Sequence, residues 1–142
     1  MTAMRKFWHL SSAERGLLLK AGILLAVYRI TLWVLPWNRV AVSRPSPGES
    51  RADRSSVERL EWAVRTARRM VPFATCLTQA LALHHLLAHA GYESSIHIGV
   101  AKTAARGFEA HAWVEHAGVT LLSSPSEVAH YSRLLALRAP SL

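Results

Sequence analysis

The chain is poor in the residues that most often build chemistry. One cysteine (Cys76), one aspartate (Asp53), one asparagine (Asn38) and one glutamine (Gln79) occur in 142 residues. A single cysteine excludes an intramolecular disulfide and any multi-cysteine zinc site, so nothing favours an oxidising compartment. Asn38 and Gln79 are the only side-chain amides that could donate to a developing negative charge. No internal repeat occurs. No helix combines clustered Arg/Lys with exposed aromatics or a known reading motif, so no nucleic-acid partner is expected.

What is present is apolar and basic. Hydrophobic residues make up 51% of the chain, enough for the core of one domain. The net charge of +8 is carried by residues 1–70, where 13 Lys/Arg meet 5 Asp/Glu; residues 71–142 hold 4 of each. The basic half therefore suits an acidic peptide, a partner protein or an anionic membrane surface.

Ser11-Ser12-Ala13-Glu14 has capping-box spacing and predicts a helix start. The following run is apolar for about six turns, broken by Lys20 and Arg29 on opposite sides of the cylinder, so it has no single polar face. The stretch Ala21 to Trp37 is 17 residues long with Arg29 at its centre. A mid-bilayer Arg costs roughly 2.5–3.5 kcal/mol, which argues against a span. The apolar part is too long and too charged for a signal peptide. The expectation is a cytoplasmic protein whose N-terminal helix packs on its own domain and on a partner, with peripheral membrane contact as the rival.

Three segments are expected: an apolar helical segment 1–42, a Pro/Ser-rich linker 43–56, and a folded domain 57–142. Ser55-Ser56-Val57-Glu58 predicts a second helix start, and Pro72 its end. A third helix runs from Thr75 or Cys76 to about His89, with Gly91 as its stop. The period then changes to two. Ile96, Ile98 and Val100 form one strand, Phe108 to Glu115 a second after the turn-like 102–107, and Val119 to Leu122 a short third. Ser124-Pro125-Ser126-Glu127 predicts a closing helix with Val128, Tyr131 and Leu135 on its inner face.

Cys76 begins the third helix, where unpaired N–H groups and the helix dipole favour a thiolate. Those N–H groups could also hold an oxyanion, with Cys76 N–H first and Gln79, one turn on, as a second donor. A thiolate nucleophile needs a proton donor, and histidine is the usual one. His84, His85 and His89 lie on the same helix, about 12 Å or more away by helix rise. His85 and His89 have zinc-ligand spacing without a third ligand. His111 is best placed, mid-strand between two alanines that leave room for another element. Composition alone favours an inert core thiol and a structural strand histidine.

The ordered set is more specific than its parts. It comprises Cys76-Leu77, Ala80-Leu81, Leu83, Leu86-Leu87, Gly91, Ile98-Gly99-Val100, Phe108, Ala110-His111-Ala112-Trp113-Val114-Glu115 and Gly118. Over about residues 55–135 it closely resembles the leader peptidases of lasso-peptide biosynthesis, small bacterial cysteine proteases. The "AHAWVE" block, 35 residues after the cysteine, is the strongest signal. The resemblance implies an α+β, transglutaminase-like and papain-related core, with a Cys-bearing helix packed on a small antiparallel sheet. It implies removal of the leader from a ribosomally made precursor, with a small leader-recognition protein and a lasso cyclase as partners. It implies Cys76 as nucleophile and His111 as general base and acid, and neither metal nor organic cofactor.

The chain departs from the family pattern at the third member. Relatives carry an Asp some twelve residues after the histidine, where this chain has Ser123. Ser123 could orient the imidazole without offering it a full charge. Glu109 and Glu115 share the His111 face of their strand but point parallel to it, about 7 and 13 Å away at Cα. Asp53 lies in the linker. Two alternatives stay open: acyl transfer to an amine on the same core, and a degenerate protease fold that only docks partners.

Overall fold

The computed structural model describes residues 8–35, 54–71, 74–105 and 107–137. Most of the expected linker, Asp53, Asn38 and Pro72 lie outside the described residues. Three helices come first: α1 (Ser12–Val34), α2 (Arg54–Ala67) and α3 (Cys76–His89). Strands β1 (Ser95–Thr103), β2 (Gly107–His116) and β3 (Val119–Leu121) follow, then a short α4 (Pro125–Ala129) and β4 (Ser132–Leu137).

α1 opens on the capping box expected of Ser11. Its side chain accepts from Glu14 N–H, and the Glu14 carboxylate accepts from Ser11 N–H at 2.9 Å. Leu18, Ala21 and Leu25 recur at helical spacing and bury one face against α2 and α3. Each buried leucine is worth about 2 kcal/mol. The opposite face stays bare: Leu19, Ile23, Val27, Ile30 and Val34 are at least half exposed, and Trp33 is 82% exposed. α1 is also long and apolar enough to cross a membrane.

α2 begins at Arg54, one residue before the expected Ser55 cap. Val57, Ala63, Val64 and Ala67 form its buried face. α3 is the central helix. Residues from Thr78 to Ala88 are buried apart from half-buried His85, because α1 and α2 cover one side and β2 the other.

The sheet is antiparallel throughout, in the order β3-β2-β1-β4. Its alternation is the one expected. Ile96, Ala112 and Val114 join the helical core, while His97, His111 and Trp113 take the other face. A two-residue turn links β2 to β3, with φ of 49° at Ala117 and 78° at Gly118. Positive φ at both positions matches the twist of a tight hairpin.

The closing helix is shorter than expected. Its capping box forms at Ser124, but it ends at Ala129, and Leu135 lies in β4 opposite Ile98. "SRLLAL" is rich in helix formers, yet the otherwise open edge of β1 recruits it as a fourth strand.

Candidate active site

Thr75 caps α3. Its side chain accepts from Thr78 N–H at 3.2 Å and shares a 2.8 Å hydrogen bond with the Thr78 hydroxyl. Cys76 is thereby the first helical residue, half-buried at the edge of the core. The cap leaves Cys76 and Leu77 N–H without hydrogen bonds among the described residues. Such first-turn donors suit an anion.

Gln79 does something other than expected. Its amide nitrogen donates to the carbonyls of Ala74 and Thr75, each at 3.3 Å, and the side chain is buried. Both amide hydrogens are engaged, so here Gln79 braces the turn before Cys76 instead of offering a donor to an oxyanion.

His111 and Ser123 come together across β2 and the segment after β3. The His111 Nε2 lies 2.6 Å from the Ser123 hydroxyl, and Ser123 is buried. The Ser123 hydroxyl can either donate to Nε2 or accept from it, so the contact holds the ring in either tautomer and leaves Nδ1 outside the hydrogen bond. The ring is held laterally by Trp113, at 6.1 Å between centroids, and by Tyr131 at 5.2 Å. Gly99 sits directly opposite His111 on β1. A Cβ there would come within 2.9 Å of Tyr131 Cβ and 3.0 Å of the Trp113 ring, so only glycine admits this packing.

No hydrogen bond joins Cys76 to His111. α3 packs on β2, so the two residues belong to adjoining elements, and the thiol–imidazole contact is not made in this structure. Apo sites often leave that contact open until substrate binds.

Glu115 and Glu109 do not grip His111. Glu115 accepts from Arg133 at 2.7 Å and from Trp113 Nε1 at 3.3 Å, and pairs with His97 at 3.2 Å. It thus fixes Trp113, which in turn backs His111. Glu127 of α4 is a carboxylate that feels the charge of His111. Hydrogen bonds from Ser124, backbone first and then side chain, hold its carboxyl below the usual range, and the charges of His111 and Arg65 act the same way against slight burial.

Sequence reasoning missed Glu61. Its carboxylate pairs with Arg65, one helical turn on, at 2.8 Å. The same oxygen also accepts from Leu122 N–H at 2.8 Å. Leu122 has φ of 66°, a left-handed conformation that costs a non-glycine residue about 1–2 kcal/mol. Glu61 thus pins a strained residue whose neighbour is Ser123, and nothing local in the sequence signals that contact.

The family model of the transglutaminase-like superfamily matches residues 22–136, most of the chain. The chain belongs to the transglutaminase-like superfamily. The match takes in α2, α3, α4 and the sheet except Leu137 at the end of β4, along with residues 22–34 of α1. This superfamily includes cysteine peptidases and acyltransferases. Comparison with curated proteins and with solved structures finds no match in either. Among the described residues no group of three His, Cys, Asp or Glu could hold a metal.

Proposed function

We propose that this transglutaminase-like protein is a cysteine peptidase that removes the leader from a lasso-peptide precursor. The observation that carries the reading is the 2.6 Å His111–Ser123 hydrogen bond on β2, the strand against which the Cys76-bearing helix packs. Cys76 gives its proton to His111 Nδ1 and attacks the scissile carbonyl. The oxyanion is met by Cys76 N–H in the first turn of α3. His111 protonates the departing amine, and the thioester forms. Water then attacks, passing its proton back to His111, and the freed carboxylate leaves with Cys76 restored.

The partners follow from the same resemblance: the leader, a small leader-recognition protein and the cyclase that uses the freed N-terminus. The bare apolar face of α1, flanked by Lys20 and the half-buried Arg29, is the surface we assign to a recognition protein, with an anionic membrane as the rival.

Cys76→Ala tests the reading. The variant is expected to stop cleavage of the precursor encoded in the same gene neighbourhood, read by mass spectrometry, while still binding the recognition protein. Unchanged processing would sink the peptidase. Transfer of the acyl group to an added amine in place of water would assign the acyltransferase branch of the superfamily.

A further inference from the structure

A half-open cavity of about 330 Å³ is lined by Arg65, Arg68, Arg69, Gln79 and Leu122. Its position is informative. Gln79 is one turn on from Cys76 and is bonded to the two carbonyls that precede it. Leu122 is the residue before Ser123, which holds His111. The cavity therefore lies between the two segments that carry the two halves of the candidate active site.

Its charge is one-sided. Arg65 is fixed by Glu61, whose carboxylate also accepts from Leu122 N–H. Arg68 and Arg69 are exposed and make no ion pair among the described residues. Three guanidinium groups line the cavity and no carboxylate does; Glu61, paired with Arg65, and Glu127, which feels the charge of Arg65, lie outside the lining and leave an excess of positive charge. Guanidinium groups bind carboxylates through paired, parallel N–H···O bonds, so two free arginines on one turn of chain are suited to a carboxylate guest.

We propose that this cavity is a carboxylate-binding subsite that receives an acidic residue of the peptide substrate beside the scissile bond. The proposal rests on the reading of Cys76 as the nucleophile. A peptide laid across the start of α3 passes Gln79 and brings a neighbouring side chain under Arg68 and Arg69. The carboxylate belongs either to a Glu or Asp side chain or to the end of a short chain, and the experiment separates the two.

The test is binding, so it does not depend on cleavage. Full-length Cys76→Ala protein is titrated with fluorescent nine-residue Ala/Gly peptides carrying one Glu, or Gln at the same place, each as a free acid and as an amide. Glu peptides are expected to bind about tenfold more tightly than Gln peptides. Adding Arg68→Glu and Arg69→Glu, both exposed and checked for an unchanged Tm, should erase that preference. A preference that follows the free chain end assigns the subsite to a terminal carboxylate. Equal affinity for Glu and Gln peptides, no binding of any Glu peptide, or a preference that survives both substitutions overturns the subsite. Acid-selective binding by a protein whose wild type cleaves nothing would leave the subsite standing and remove the peptidase.

Discussion

The Ser123 hydroxyl lies 2.6 Å from His111 Nε2, twelve positions along the chain. The serine holds the ring, but its hydroxyl can donate or accept and so selects no tautomer, and it adds no charge to the imidazolium. A neutral hydrogen bond is worth about 0.5–1.5 kcal/mol. Ser123→Ala should therefore lower kcat about three- to tenfold with little change in Tm. Ser123→Asp should match or exceed wild type. An alanine variant as fast as wild type would remove Ser123 from the site.

Glu61 is expected to act through Leu122. Glu61→Ala removes the acceptor from a strained N–H and should cost about 1–3 kcal/mol of stability. It should also lower kcat by more than it raises KM, because Ser123 loses its fixed place. Glu61→Gln retains an acceptor oxygen and should recover most of the kcat. Equal loss in both variants would point to the Arg65 ion pair instead.

Gly99→Ala tests the packing around His111. The added methyl would meet Tyr131, Trp113 and the Ser132 carbonyl at 2.9–3.1 Å. Overpacking of this kind costs about 1–3 kcal/mol. A Tm several degrees lower, with weaker activity at temperatures where the variant is fully folded, is the expected result. A variant with unchanged Tm and rate would show that the strand can yield.

His85 sets an acid limit on the helical layer. It meets the Tyr28 hydroxyl at 3.4 Å and stacks on His89, and its protonation is held below the usual imidazole range, first by burial, then by His89 and Lys20. The unfolded chain takes up this proton near pH 6.5, and the folded chain only at lower pH. Between the two the unfolded state binds more protons, so stability falls as pH drops below 6.5. Tm should be lower at pH 5.5 than at pH 7.5, and His85→Gln should narrow that difference. Glu14 and Glu127 act in a separate window, losing their contribution only as pH falls below the ordinary carboxylate range. An identical difference in the variant would exclude His85.

The parts of the site that were legible are those set by local rules. Thr75 caps through its own side chain, so Cys76 could be placed at a helix start without any tertiary knowledge. Alternation along 108–115 put His111, Trp113 and Glu115 on one face, and the register confirms it. What stayed hidden is tertiary. "SRLLAL" becomes a strand because β1 has an edge to fill. Glu61 reaches an N–H sixty-one positions away, and a left-handed leucine is favoured by nothing in its own chemistry. Gln79 looked like a donor to substrate because only its distance from Cys76 was known, not the two carbonyls that claim it.

The outer face of α1 has a practical consequence at the bench. Leu19, Ile23, Ile30, Trp33 and Val34 form a greasy ridge that water does not tolerate when the protein is pure and concentrated. The purified chain will adsorb to plastic, elute late from apolar resins and form soluble aggregates as it is concentrated. A mild detergent is the condition under which the measurements above should be made.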